Sequence, residues 1–250
     1  MTMLRGLWKL AYLETKIFIR EPLGLIGAVI APVLVFILIG QMMGDGAQAS
    51  ESAALFLSIQ LPVLGAIMIS LNAVLSLITI IAIYREGGIL KRLRTTPLRP
   101  QTILVAHVLV KLFMTMATLG MMILAGGRYY PVSLDGNLAG LSAGLLLCTL
   151  SILSVGFVIA SLVPTARFAQ PLGSLVLYPM LGLCGLFIPI EQLPEWLQPV
   201  AHVVPLTYAV SLLRGLWIGD AWSDHLADVG ALLAVFALFT ALSTKVFRWE

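Results

Sequence analysis

The sequence predicts an all-α membrane protein: six transmembrane helices, an N-terminal amphipathic helix in the interface, and a re-entrant or interfacial outer segment before the sixth span. Three observations carry this. Of 250 residues, 60% are hydrophobic and 11% charged, with a mean hydropathy of +1.01, whereas a soluble domain holds roughly 45 to 50% apolar and about 25% charged residues. The apolar residues gather in charge-poor runs of about 20, the length that crosses a hydrocarbon core roughly 30 Å thick. Lys and Arg lie almost entirely on one side of those runs. The same composition argues against a disordered chain, a nucleic-acid-binding module and a disulfide scaffold, since the two cysteines, Cys148 and Cys184, both sit inside apolar runs.

Residues 1–21 carry too much charge to cross a membrane. At 100° per residue Arg5, Lys9, Lys16 and Arg20 fall within an arc of about 60°, with Leu4, Leu7, Leu10, Ala11, Ile17 and Phe18 opposite. A helix lying in the cytoplasmic interface is expected, cations toward lipid headgroups and water. Glu14 projects from the apolar face, where it should meet a cation of the bundle or be neutralised.

The six runs are 23–43, a stretch within 53–84, then 102–125, 138–163, 171–190 and 229–246; Lys111 in the third is the one charge in their interiors, Lys245 lying at the very end of the sixth. Ala47-Gln48-Ala49 fits a signal-cleavage pattern. The run before it is longer than a signal core of roughly 7 to 15 residues, and its removal would leave five spans with the basic loop on the wrong side.

Orientation follows from the cations. All of the fifteen Lys and Arg except Arg128 and Arg214 lie in the N-terminal stretch, the loop after the second span, the start of the third, the loop after the fourth, and the tail. Cytoplasmic flanks carry this excess. Both termini are therefore expected in the cytoplasm of a multi-pass protein of the plasma or inner cell membrane.

Two soluble segments stand out. In 84–100, Gly87-Gly88 breaks the second span, a short helix presents Ile89, Leu90 and Leu93 on one side, and Thr96-Pro97 and Pro100 close it before the third span. Such a helix at the membrane's inner edge calls for a partner, unless the loop only fixes topology and touches anionic lipid. In 189–224, Pro189, Pro194, Pro199 and Pro205 interrupt an apolar stretch that includes a seventh candidate segment, 200–219. Trp196 and Trp217 read as interfacial anchors. Irregular backbone at depth is tolerated only against protein or a water-lined cavity, so this segment should cap something.

Other patterns carry less. Gly140-Leu141-Ser142-Ala143-Gly144 matches a nucleophile motif that requires a strand-to-helix turn, yet it lies inside a predicted membrane helix. Gly136, Gly140, Gly144 and Cys148 form a small-residue ridge suited to close helix packing. His107, His202 and His225 show no metal spacing, and no metal site is expected. No Gly-Lys dipeptide occurs, so the chain has no phosphate loop for ATP. Asn72, Ser76 and Thr79 follow one face of the second span and are candidates for lining a substrate path.

The interfacial helix, the Arg85-Glu86-Gly87-Gly88-Ile89-Leu90-x-x-Leu93-x-x-Thr96-Pro97-Leu98 loop, six spans, and the Leu193-Pro194-x-Trp196-Leu197, Pro205-Leu206-Thr207-Tyr208-Ala209 and Leu213-Arg214-Gly215-Leu216 stretches occur in that order. Together they resemble the ABC-2 family of ATP-binding-cassette exporter permeases, and within it the daunorubicin-resistance type, over essentially the whole chain. The resemblance implies ATPase-coupling roles for Arg85, Glu86, Gly87, Gly88, Leu90, Leu93, Thr96 and Pro97. It implies outer-gate roles for Leu193, Pro194, Trp196, Pro205, Tyr208 and Arg214. Many members have an acidic residue and a single glycine where this chain has Gly87-Gly88, which leaves that turn's geometry open.

The implied function is the permease subunit of an exporter for an amphipathic drug, lipid or similar compound. It implies two copies of a separate ABC ATPase, a second permease copy or paralogue, and membrane lipid as partners, with no nucleic acid. The chain would bind no cofactor and be no enzyme itself; ATP and Mg would sit on the ATPase. An ion- or proton-coupled carrier or channel is the alternative, disfavoured because the acids lie at or beyond the span ends. An intramembrane enzyme lacks any paired acid, nucleophile or metal cluster at depth.

Overall fold

The computed structural model describes residues 61–88, 100–129, 137–163 and 165–246, together with scattered residues between 8 and 38. Every regular element among them is helical, as expected where apolar surroundings force each backbone N–H and C=O to find its partner within the segment. The long helices are α1 (Leu61–Glu86), α2 (Pro100–Tyr129), α3 (Leu138–Leu162), α4 (Ala166–Leu183) and α7 (Leu226–Val246), with α5 (Gln198–Val203) and α6 (Pro205–Ile218) between the last two. Single 3-10 turns, Ile190–Gln192 and Trp222–His225, flank the α5–α6 segment.

Among the described residues, three stretches are long and apolar enough to cross a membrane: Val63–Glu86, Ala139–Leu162 and Trp222–Ser243. They correspond to the second, fourth and sixth predicted runs. The third run lies within α2, whose apolar part is Leu109–Met122. Of the first run and the interfacial helix, only scattered positions are described; Lys9, Lys16 and Arg20 are helical and exposed there, and Glu14 lies outside the described residues.

The fifth run departs from expectation. Its helix spans Ala166–Leu183 rather than 171–190. Pro171 and Pro179 are accommodated inside it on its exposed side. The helix stops where Gly185 takes a positive φ of 76°, a conformation that L side chains resist.

The core runs along α1, α3 and α6. Ile67, Val74, Leu77 and Ile78 of α1 meet Leu145, Ile152 and Leu153 of α3 and Leu206, Ala209 and Leu212 of α6, all within one buried cluster. Close approach needs small residues. A Cβ on Gly156 of α3 would lie 2.6 Å from Val74 Cγ1, and one on Gly173 of α4 would lie 2.8 Å from Leu75 Cδ2. Buried hydroxyls are satisfied: Ser70 Oγ donates to Ala66 O (2.9 Å) and meets Thr149 Oγ1 at 3.2 Å. With the Ser70 proton so engaged, Thr149 is the donor between them. Ser151 Oγ lies 2.9 Å from Leu232 O, linking α3 to α7. By contrast, α4, α7 and α2 turn Leu175, Tyr178, Leu238, Phe113 and Leu124 outward, the pattern of helices whose outer faces meet lipid or another apolar surface.

Candidate functional site

Two regions at opposite ends of α1 and α3 hold most of the sequence-predicted residues. At one end, expected from the sequence to face the cytoplasm, α1 terminates at Glu86 and the chain turns through Gly87-Gly88. Gly88 takes a φ of 63°, while Gly87 does not enter the left-handed region. The second glycine is therefore the one the turn requires. Gly88 N–H closes the turn on Arg85 O at 3.1 Å.

The two charged residues before the turn reach across to the α3–α4 corner. Arg85 Nη1 donates to Ser161 O in the last turn of α3 at 3.1 Å. Glu86 Oε2 accepts the Ala166 N–H, the first of α4, at 2.8 Å. Thr165, the N-cap residue of α4, makes no side-chain capping bond. The Glu86 carboxylate takes over that task from another helix. Each charge sits at the helix end of opposite sign, the guanidinium by exposed carbonyls and the carboxylate by exposed N–H groups.

At the other end, α6 is largely enclosed: Leu206, Thr207, Ala209, Val210, Leu212, Leu213, Gly215, Leu216 and Trp217 are buried. Fourteen residues make a helix of about 21 Å at about 1.5 Å per residue, short of the roughly 30 Å core. Its direction follows from paired contacts with α3. Gly140 faces Trp222, Gly144 faces Leu213 and Leu216, and the Cys148 thiol lies 3.9 Å from Ala209 O. Later residues of α3 thus pair with earlier residues of α6, so α6 runs antiparallel to α3, with Pro205 at its end nearest the middle of α3. Gly140, Gly144 and Cys148 of the small-residue ridge pack against this segment, Gly136 lying outside the described residues, and the Gly140–Gly144 motif is a packing surface within a helix.

Local bonds shape the descent to Pro205. Gln198 Nε2 donates to Leu193 O (3.0 Å), Thr207 Oγ1 to Ala201 O (2.6 Å) and Tyr208 Oη to His202 O (2.6 Å). Arg214 Nη2 reaches Gly185 O at 3.5 Å, joining α6 to the bend after α4. Trp196 is exposed as an anchor should be, but Trp217 is 4% exposed. The anchor expected at Trp217 is a core residue, because α6 lies inside the bundle rather than along its surface.

A cluster that sequence reading passed over closes the outer segment. His225 Nδ1 contacts Asp228 Oδ2 at 3.0 Å, its Nε2 contacts Asp220 Oδ2 at 3.3 Å, and Ser211 Oγ donates to the same Asp228 oxygen at 2.7 Å. A carboxylate only accepts, so both histidine contacts are hydrogen bonds when both ring nitrogens carry protons. The available signal was the Asp220-x4-His225-x2-Asp228 spacing at the head of the last helix.

This order of helices, with a short buried outer helix ahead of the last span, accompanies a sequence match. The sequence pattern of the ABC-2 type transporter family matches residues 5–217. The chain belongs to the ABC-2 type transporter family. Among similar proteins, a daunorubicin resistance ABC transporter permease protein, DrrB1 of Streptomyces coeruleorubidus, is 29% identical over 98% of this chain and 85% of its own length. Nodulation protein J of Neorhizobium galegae is 33% identical over 40% of this chain, and the match spans 38% of that relative. A probable multidrug ABC transporter permease, YbhR of Escherichia coli K12, is 24% identical over 66% of this chain and 45% of its own length.

Within this ABC-2 chain, the inner turn brings Arg85, Glu86, Gly87 and Gly88 together; Leu90, Leu93, Thr96 and Pro97 lie outside the described residues. Leu193, Pro194, Trp196, Pro205, Tyr208 and Arg214 all fall in the outer segment. Ser76 and Thr79 are half-buried on α1, the Thr79 hydroxyl donating to Leu75 O of its own helix at 2.9 Å. The Asn72 side chain is outside the described residues. Among the described residues, no three of His, Cys, Asp and Glu gather in a way that could hold a metal ion.

Proposed function

We propose that this ABC-2 chain is the transmembrane permease subunit of an ATP-driven exporter moving an amphipathic drug, lipid or similar compound out of the cytoplasm. Two permease copies, or this chain and a paralogue, form a twelve-span unit around a central seam. Two separate ABC ATPase subunits, which hold the ATP and Mg, bind at the inner side against the 84–100 loop and the N-terminal helix. In each copy six spans place both termini in the cytoplasm, and the outer segment 189–224 closes the seam toward the outside. ATP-driven closure of the ATPases pushes on the loop and tilts the permeases, opening the outer side.

The observation that best supports this reading is α6. A helix too short to span, buried among α1, α3 and α7, supports a reading in which one end of the bundle stays shut while a push arrives at the other. The drug-resistance and multidrug names of two relatives favour an amphipathic substrate.

The test targets the loop's apolar face. Replacing Leu90 and Leu93 by Asp buries unpaired charge at an ATPase contact. Co-expression with the tagged ATPase should then lose co-purification and efflux, whereas Arg92→Gln/Arg94→Gln should cost little, each cation being worth about 1 kcal/mol at an anionic lipid surface. Normal co-purification and efflux in the leucine variant, at wild-type membrane levels, would reject the assignment.

A further inference from the structure

We infer that Arg85 and Glu86 are positioning residues that act on the chain's own α3–α4 corner, so that a push received by the 89–99 loop moves α1, α3 and α4 as one body. The inference deepens the coupling role proposed above and rests on it. In that reading both residues belong to a surface offered to the ATPase. The geometry gives their charged atoms another use: Arg85 holds the last turn of α3 through Ser161 O, and Glu86 holds the first N–H of α4 through Ala166.

Four features make the clasp a mechanical link. The two residues are consecutive on α1 and grip two different helices, so neither helix can separate from α1 at its inner end without breaking a charge-assisted bond. Thr165 supplies no side-chain cap to α4, leaving the first turn of that helix dependent on Glu86. Further along, α1 is packed too tightly on both partners to slide: Val74 fills the notch at Gly156, and Leu75 and Ile78 fill the notch at Gly173. Finally, both α3 and α4 continue outward to the re-entrant segment, α3 through Gly144 and Cys148 and α4 through the Gly185 carbonyl that Arg214 holds. Motion imposed at the inner turn therefore has a packed route to α6. Energetic coupling of this kind travels through rigid elements with two arrangements.

The experiment uses the permease co-assembled with its ATPase in lipid nanodiscs. Glu195, exposed on the outer segment, is replaced by Cys and labelled with an environment-sensitive fluorophore; the native Cys148 and Cys184 are buried. The reference protein should show an ATP-dependent fluorescence change. In Arg85→Gln/Glu86→Ala complexes matched for bound ATPase and normalised to ATP turnover, that change should fall at least about fivefold, the low end of ordinary site-to-site coupling. Adding Thr165→Asp restores a cap to α4 without restoring the tie to α1, and should not recover the signal. Recovery by Thr165→Asp would reduce Glu86 to a helix cap and overturn the inference. An undiminished change in the double variant would overturn it as well, and lost co-purification would place the two residues on the ATPase instead. A reference complex that binds its ATPase yet gives no ATP-dependent change would overturn the export reading together with the inference.

Discussion

The imidazole of His225 fills the space beside Gly215 that any side chain at that position would need. The ring cannot swing aside cheaply, because Asp228 and Asp220 hold its two nitrogens. Through this contact the turn after α6 is keyed into α6 itself, and the outer segment is locked to the head of α7.

Gly215→Ala is expected to destabilise the protein by about 1 to 3 kcal/mol, the usual cost of overpacking a filled site. Thermal unfolding of the detergent-solubilised protein measures it. Gly182→Ala and Gly230→Ala serve as controls, since each position is helical and a Cβ there meets nothing within 4 Å; both should be neutral or stabilising by up to about 1 kcal/mol.

The cluster should respond to pH. Raising the pH removes the second ring proton from His225, and with it the ability to donate to both carboxylates at once. The stability difference between the native protein and His225→Gln is expected to be largest near about pH 6 and to shrink toward about pH 9, as an imidazolium gives way to imidazole. Equal differences at both ends would show that the ring contributes through packing alone.

Two glycines of the bundle should differ although both are buried. A Cβ at Gly156 meets Val74 Cγ1 at 2.6 Å, on a β-branched side chain with one preferred rotamer in a helix. At Gly65 the obstacle is the end of Met122, with Sδ at 2.8 Å, and methionine bends away readily. Gly156→Ala should cost about 1 to 3 kcal/mol, and Gly65→Ala clearly less. Paired unfolding measurements would reveal the order.

The topology can be read by labelling. In a background with Cys148 and Cys184 buried, a cysteine at position 45 should react with an impermeant reagent applied to intact cells, and one at position 92 should react only after the membrane is opened. Equal labelling of the two would reject the six-span arrangement.

Much of the bundle was legible because its signals are local. The bounds of α3 agree with the 138–163 run to within one residue, since a charge-free stretch bracketed by Asn137 and Pro164 has few ways to end. The stop after Glu86 was likewise written in Gly87-Gly88. The ridge of Gly140, Gly144 and Cys148 announced a close helix contact, though not which helix makes it.

What escaped was whatever depended on a partner distant in sequence. The sequence alone determined a helical membrane protein, the gathering of its cations in a few segments, and a stretch before the last helix too apolar for a free loop and too interrupted to span. Those properties follow from composition and from the 3.6-residue period, which act over one or two turns. Tertiary structure alone decided that Trp217 is core rather than anchor, that α6 enters antiparallel to α3, and that His225 finds Asp220 and Asp228. It also decided that Glu86 caps a helix 80 residues further along the chain. The physical reason is that burial and hydrogen bonding depend on which surfaces meet, and a helix's own residues specify the surface it offers but not the one that covers it.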